Sequence, residues 1–289
     1  CSECAVRSCR WDDEAYPSFC TSKNMDPALI EEAMNVYRDT PEGKAEKAAE
    51  TAKAYDPLMM IFPECFMCYF EKKQSIPEKS RTVRENHDAF VSGMCALSRK
   101  YGFWTVFGTY EPSEDETELR CYNTVYMVDN EGKIRCRYRK THLYDAFSSR
   151  ESDFIIPGDK LCDVLDTPVG PAAILTCYEV RFPEIARKLA AAGADVLIHP
   201  TAWVGGKLKE DQYKVLCRAR AIENTVYFLS ADQCDKTHSG CSCIIDPMGV
   251  MVCAAAEEED VIIGEIDTER IERVRGILPV LNGRRTELY

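Results

Sequence analysis

Three residues of this sequence combine a reactive side chain with a position just after a short apolar run. They are Cys177 after 172–176, Glu64 after 58–62 and Lys140 after 133–138. Such runs, bounded by turn signals, read as buried strands, and open α/β sheets place ligands at the carboxyl ends of their strands. The signal is fullest at Cys177. A Gly170-Pro171 turn precedes its strand, and Pro183 suits the first position of a helix whose dipole favours Glu184 in the first turn. That helix would turn Ile185, Ala186, Leu189 and Ala190 inward and stop at Gly193, before a second strand at 195–199. A thiol in such a strand-to-helix turn sits beside backbone N–H groups able to face a developing anion.

If those strands share one sheet system, the three side chains converge, and the chemistry open to them is covalent acyl transfer. A free thiol, with a pKa of about 8.5, is a weak nucleophile until a base or a cation is near. Glu64 would take the proton of Cys177 as general base and return it to a leaving amine. Lys140 would stabilise the oxyanion together with the Tyr178 backbone N–H. Glu151 would buttress Lys140 or position the hydrolytic water. Spacing alone leaves a second reading open, a cysteine that merely packs in a turn.

The elements that must hold these residues follow from periodicity. A first strand is expected at 4–9 and a helix over 26–54, interrupted at Thr40-Pro-Glu-Gly43; 65–79 is expected as loop. Val83, His87, Phe90, Met94 and Leu97 mark an amphipathic helix at 81–100. A strand at 103–110 and an acidic loop at 111–118 come next. Asp129-Asn-Glu-Gly132 then turns a hairpin of 122–128 with 133–138. The stretch 141–160 reads as loop, 208–224 as helix and 225–231 as strand. A second hairpin joins 242–245 to 250–254 around Asp246-Pro-Met-Gly249. A strand at 261–266, a short helix at 268–275 and an extended tail complete the chain. Strands alternating with helices, with hairpins inserted, predict an α/β fold with mixed sheets and a single domain over 1–289.

Composition narrows the function classes. The chain has 289 residues, 45% of them hydrophobic and 29% charged, as in a globular protein able to bury a full core. Thirty-six basic against 48 acidic residues give a net charge of −12, which argues against nucleic acid or an anionic membrane as the main partner. No apolar run approaches the ~20 residues that span a bilayer, and no signal-peptide pattern is visible. The chain opens on Cys1 rather than Met, so residues ahead of it are expected to be missing. Sixteen cysteines are scattered through predicted strands and helices, as reduced thiols in a cytoplasmic protein would be. Cys1/Cys4 and Cys65/Cys68 have zinc-ligand spacing but lack knuckle glycines; disulfides stay open.

The motifs together resemble the nitrilase superfamily of carbon–nitrogen hydrolases over nearly the whole chain. Ile61-Phe-Pro-Glu64 is similar to the family's Glu motif, Tyr138-Arg-Lys-Thr-His-Leu143 to its Lys motif and Thr176-Cys-Tyr-Glu-Val-Arg-Phe-Pro-Glu184 to its Cys motif. Tyr122-Asn-Thr124, Glu151-Ser, Pro157-Gly-Asp159, Arg218-Ala-Arg-Ala-Ile-Glu-Asn224, Asp246-Pro-Met-Gly249 and Leu278-Pro-Val-Leu-Asn-Gly-Arg-Arg285 fall in the family's order. The resemblance implies an αββα sandwich that forms four layers, a Glu64–Lys140–Cys177 triad with Glu151 as fourth site residue, and no metal or other cofactor. It further implies homodimers or higher homo-oligomers, often built through the helix after the nucleophile. The segment 10–56 is longer than the family's usual opening, and Gln212-Tyr213 stands where many relatives carry His-Trp.

The residues after Cys177 are similar to the omega-amidase and deaminated-glutathione amidase branches, whereas true nitrilases carry Trp-Glu there. The implied activity is hydrolysis of a small linear amide through a thioester, releasing ammonia and a carboxylic acid. The alternatives are an N-carbamoyl amine or amino-acid hydrolase that also releases carbon dioxide, a nitrilase, and, from another class, a non-catalytic thiol-rich or metal-binding scaffold. Candidate substrate-binding residues are Tyr178, Arg181, Trp203 and Tyr144. Arg181 would grip a substrate carboxylate bidentately or instead pair with Glu179 or Glu184. Trp203 would line the pocket or be an ordinary core aromatic. His142 and His199 are expected in structural hydrogen bonds, since Glu64 fills the role of base.

Overall fold

The computed structural model describes residues 40–70, 73–147, 149–256 and 258–288. The expected strand at 4–9 and the start of the expected helix at 26 lie outside them. The first described helix, α1 (Pro41–Ala52), begins where an interruption was expected. Thr40 is its N-cap, accepting from the Gly43 amide at 3.1 Å, and Pro41 takes the first turn, so Thr-Pro-Glu-Gly starts a helix. Strand β1 (Met59–Ile61) follows. Helix α2 (Ile76–Tyr101) opens earlier than periodicity indicates, because Ser75 and Glu78 form a capping box.

Strands β2 (Trp104–Pro112), β3 (Cys121–Val128) and β4 (Ile134–Arg139) complete the first sheet, in the order β1-β2-β3-β4. β1 runs parallel to β2 and the other pairs are antiparallel. Glu111, expected in a loop, belongs to β2, where Thr124 of β3 and the arginines of β4 hold it. The second sheet has the order β5-β6-β7-β8-β9. It contains β5 (Ala172–Ile174), β6 (Val196–Thr201) and β7 (Tyr227–Asp232) in parallel, then the antiparallel hairpin β8 (Cys243–Ile245) and β9 (Met251–Ala254). Helices α3 (Pro183–Ala191) and α4 (Lys209–Asn224) serve as its crossovers, and α5 (Thr268–Ile277) follows. Residues 261–266 are not a strand. They cross the side chains of Ile244, Val252 and Cys253, against which Gly264 lies, and so have no ladder partner.

Side-chain alternation sorts these elements into layers. Val125 and Met127 of β3, with Trp104 and Val106 of β2, join one core with β5, β6, β7, α3 and α4. Tyr126 and Val128 point the other way, into a second core with Ala45 and Ala49 of α1 and Phe90 and Met94 of α2. The order is helix, sheet, sheet, helix, the αββα arrangement. On α3 the inward face is Ile185, Ala186, Leu189 and Ala190, as its periodicity predicts; burying each large aliphatic contributes roughly 1.5–3 kcal/mol. The two sheets therefore share an interior, and side chains leaving the ends of β1, β4 and β5 can meet.

Candidate active site

Glu64 follows β1, whose continuation folds tightly onto β2. The Gly108 amide donates to Pro63 O at 3.0 Å and the Phe66 amide to Gly108 O at 2.8 Å. A Cβ on Gly108 would lie 2.6 Å from the Glu64 Cα, closer than non-bonded atoms come, so this approach needs glycine. With no side chain on β2 in the way, the Glu64 carboxylate crosses to Asn123 on β3, whose Nδ2 donates to Glu64 Oε1 at 2.7 Å. The Ala202 amide donates to Oε2 at 2.8 Å, and Gln233 Nε2 donates to the Glu64 carbonyl at 2.9 Å. Elements of both sheets thus hold the one carboxylate.

Lys140 leaves β4 into the same space. Its Nζ lies 2.9 Å from Glu64 Oε1 and 3.0 and 2.9 Å from the two Glu151 oxygens. Asn123 Nδ2 also reaches Glu151 at 3.1 Å, and the Tyr144 amide donates to Glu151 Oε2 at 2.6 Å. The Lys140 side chain is 2% exposed and Glu64 3%. Burial alone would pull Lys140 down, but Glu151 and Glu64 outweigh it and hold the ammonium well above its usual range. Burial would push Glu64 up, yet Lys140 outweighs it and keeps the carboxyl below its usual range. Gly158, in the Pro157-Gly158 turn, sets the lysine's backbone: its amide donates to Lys140 O at 2.8 Å, and a Cβ there would collide with Arg139 O.

Cys177 ends the Ala172–Ile174 strand segment and opens a 3₁₀ turn, Cys177–Arg181. Its φ is +45°, in the left-handed region that side chains other than glycine rarely occupy. Two buried polar groups hold this strain. His199 Nε2 lies 3.0 Å from Cys177 O and its Nδ1 2.7 Å from Ser230 Oγ. Burial pulls His199 down to about 4, so the ring is neutral at pH 7. A carbonyl can only accept, so Nε2 carries the proton and Nδ1 accepts from Ser230. Tyr213 donates in turn to Ser230 at 2.6 Å.

The second group is Glu179, fully buried. Its carboxylate accepts from the Thr176 amide at 2.7 Å, Tyr138 OH at 2.8 Å, the Thr141 amide at 2.8 Å and Thr141 Oγ1 at 2.6 Å. Burial would raise Glu179, but hydrogen bonds from His142, Thr141, Thr176 and Tyr138 hold it low. One carboxylate therefore ties the cysteine turn to the segment that carries Lys140. Glu64 and Lys140 both act on the Cys177 thiol: burial first and the Glu64 charge second push it up, against the pull of Lys140 and Thr201. At rest the site holds a neutral thiol beside two carboxylates and one ammonium.

The remaining sequence candidates lie around this centre with distinct duties. The Tyr178 ring meets Tyr144 edge-on at 5.2 Å, and Tyr144 OH accepts from Lys209 Nζ at 3.0 Å. Lys209 also stands over the Phe147 ring at 3.8 Å. Arg181 pairs with neither Glu179 nor Glu184; its Nη2 donates to Gln212 at 2.9 Å and its guanidinium stacks on Trp203 at 4.8 Å. Trp203 is 4% exposed in the shared core and donates Nε1–H to Lys209 O at 2.9 Å. His142 bonds Thr141 Oγ1 at 2.8 Å. Asn123, Glu179 and Lys209 were not singled out as site residues from sequence; Asn123 and Glu179 lie within quoted motifs, and Lys209 carried no signal beyond its charge. Among the described residues no group of three or more His, Cys, Asp or Glu could hold a metal ion, and no helix is long and apolar enough to cross a membrane. Cys1 and Cys4 lie outside the described residues.

Known proteins resemble this chain in sequence and in fold. The chain is 34% identical over 251 residues to a deaminated glutathione amidase of Escherichia coli O157:H7, covering 87% of this chain and 93% of that one. It is 31% identical over 246 residues to omega-amidase NIT3 of Saccharomyces cerevisiae, covering 81% and 83%. The crystal structure of the Caenorhabditis elegans NitFhit protein superposes with a TM-score of 0.77 at 30% identity, over 86% of this chain and 62% of that chain. A carbon-nitrogen hydrolase from Helicobacter pylori G27 shares the fold, with a TM-score of 0.79 at 23% identity over 87% and 92%. The carbon-nitrogen hydrolase family model matches residues 40–276, and with the fold and these relatives it places the chain in that family of enzymes, which act on carbon–nitrogen bonds other than peptide bonds.

Proposed function

We propose that the chain hydrolyses a small linear amide by cysteine chemistry, with Cys177 as nucleophile, Glu64 as general base, Lys140 and the Tyr178 N–H as oxyanion donors, and Glu151 holding Lys140. The observation that carries this reading is the buried Glu64–Lys140–Glu151 cluster acting on the Cys177 thiol. Two carboxylates and one ammonium sum to −1, so a free thiolate would raise the local charge to −2 in a dry site. Moving the proton from Cys177 to Glu64 as the sulfur attacks keeps the total at −1. The thiolate is therefore made only when a carbonyl is there to take its electrons.

The attack forms a C–S bond and an oxyanion, which Lys140 and the Tyr178 N–H of the 3₁₀ turn receive. Protonated Glu64 returns its proton to the leaving nitrogen, the C–N bond breaks, and ammonia departs from a thioester. Water then gives a proton to Glu64 and attacks the thioester, and the carboxylic acid leaves as the thiol is restored. The names of the relatives, amidases of deaminated glutathione and of omega-amides, support an amide as substrate. Tyr178, Tyr144, Trp203 and Arg181 form the walls in this reading, with Lys209 at the mouth. The whole chain, 1–289, acts as one domain. A reducing cytoplasm fits the twelve described cysteines, all free thiols. A homodimer fits the exposed Val215 and Ile222 of α4 and the adjoining Met248 and Val250.

The test is ammonia release from omega-amides, N-carbamoyl compounds and nitriles, with mass spectrometry of Cys177. Amide turnover with an acyl adduct on Cys177 is expected. Turnover of N-carbamoyl compounds alone, with carbon dioxide released, would replace the substrate class; turnover indifferent to Cys177→Ala would end the catalytic reading.

A further inference from the structure

The twelve described cysteines are not equivalent, and one pair stands apart. Cys136 Sγ and Cys162 Sγ lie 3.7 Å apart, in direct contact. Cys136 sits on β4, the strand that ends at Arg139 and delivers Lys140. Cys162 sits in the connection that leaves Gly158, bonded to Lys140 O, and reaches Leu165, which bridges to Ala172 of β5. A bond between them would join the Lys140 strand of one sheet to the segment lying on the Cys177 strand of the other. Cys217 and Cys243 also interact, but at 0% and 3% exposure they lie deep in the shared core. Cys136 instead lines an open surface cavity of about 380 Å³, with Arg135, Lys160 and Cys162 beside it.

We propose that Cys136 and Cys162 are a covalent modification site, a dithiol that small peroxides oxidise to an intramolecular disulfide ahead of the nucleophile Cys177. The Cys136 thiolate attacks one peroxide oxygen, the O–O bond breaks, and a sulfenic acid and water result. The Cys162 thiol attacks that sulfenic sulfur, forms the S–S bond and expels a second water. Two thiols lose two electrons and two protons, and the peroxide takes them all. The two reactive centres are set apart by their surroundings. The hydrogen bond from Cys162, helped by Lys160, holds the Cys136 thiol below its usual range despite burial and the Asp163 charge. Burial and Glu64 push Cys177 the other way. Reaction with peroxide needs the thiolate, so Cys136, part-exposed at the cavity, reacts first while the nucleophile stays a thiol. The resulting link ties β4 to the connection that leads into β5 and cross-links the chain across that connection.

Titration of the full chain with hydrogen peroxide, followed by non-reducing peptide mapping, tests this without any assay of amide turnover. The expected first product is a peptide pair joined through Cys136 and Cys162, two mass units lighter than the dithiol, while the Cys177 peptide keeps its unoxidised mass. Its Tm should rise by roughly 5–10 °C and fall back on reduction. In Cys136→Ser the rise should vanish, and the Cys177 peptide should gain oxygen at lower peroxide. Oxidation of Cys177 before the pair, or a pair that stays reduced while other thiols are consumed, would overturn the proposal; both are read on the unaltered protein.

Discussion

Two carboxylates of the first sheet, Glu64 and Glu111, are buried to the same degree, at 3% exposure each, yet the proposed mechanism uses only one of them as a base. Glu111 on β2 accepts from Arg137 Nε at 2.9 Å, Arg139 Nη2 at 2.6 Å and Thr124 Oγ1 at 2.8 Å. Two guanidinium groups surround one carboxylate, and both reach partial solvent. Glu64 shares a single ammonium with a second carboxylate and faces a thiol. The lesson is that burial and pairing do not make a catalytic group. A deficit of positive charge beside a neutral nucleophile does, because it ties the thiol's proton to the carboxylate. Glu111, with positive charge in excess, has nothing to deprotonate.

The largest test of this contrast is on turnover. Cys177→Ala and Glu64→Gln should each lower kcat by on the order of 10⁴ or more, and Glu111→Gln should leave kcat within about threefold; steady-state ammonia release compares all three. If Glu111→Gln were as damaging as Glu64→Gln, the contrast would collapse. Lys140→Met comes next. It leaves two buried carboxylates with no cation, which should cost about 3–5 kcal/mol in urea unfolding. Removing one of the half-exposed arginines from Glu111 should cost less, since the other remains.

Acid separates the two sites in a different way. His199 is held near 4 by burial, below its ordinary 6.5. For a depressed group the contribution to stability is whole above about 6.5 and is lost as pH falls through 4. The loss should be on the order of 3 kcal/mol between those limits, followed by urea midpoints from pH 7 to pH 4. His199→Gln should flatten that limb and loosen the Cys177 turn, whereas Glu111 variants should leave the His199 share of it unchanged. The smallest effect is at the mouth. Lys209→Met should raise KM for amides bearing a carboxylate by about tenfold with kcat unchanged, and leave neutral amides as they were. An equal rise for both classes would make Lys209 merely a brace for Tyr144.

Much of this was legible in the chain, and the reasons are local. Cys177, Glu64 and Lys140 each follow a compact apolar run, and the turn signal Asp129-Asn-Glu-Gly132 announces the hairpin that leads to Lys140. Pro183 and Gly193 bracket α3 in the sequence as in the fold. What stayed hidden depends on contacts between distant segments. Glu179 joins the cysteine turn to Tyr138 and Thr141, and a lone glutamate carries no mark of such partners. Arg181 reads equally well as an ion-pair partner or an anion grip, and in the fold it stacks on Trp203 and bonds Gln212. Residues 261–266 have strand composition but lie against the side chains of Ile244, Val252 and Cys253 instead of joining a sheet. The start of α1 was misread because Thr-Pro-Glu-Gly serves as helix cap and as turn alike.

The glycines at 108 and 158 carry a practical consequence for anyone surveying this protein by mutation. Alanine scanning is normally subtractive, and its mildest exchange is at the smallest residue. Here the order reverses: a single added methyl at Gly108 would press on the Glu64 main chain at 2.6 Å, and one at Gly158 would strike the carbonyl before Lys140. The least conspicuous replacements in a library should therefore rank among the most crippling, without touching a functional group.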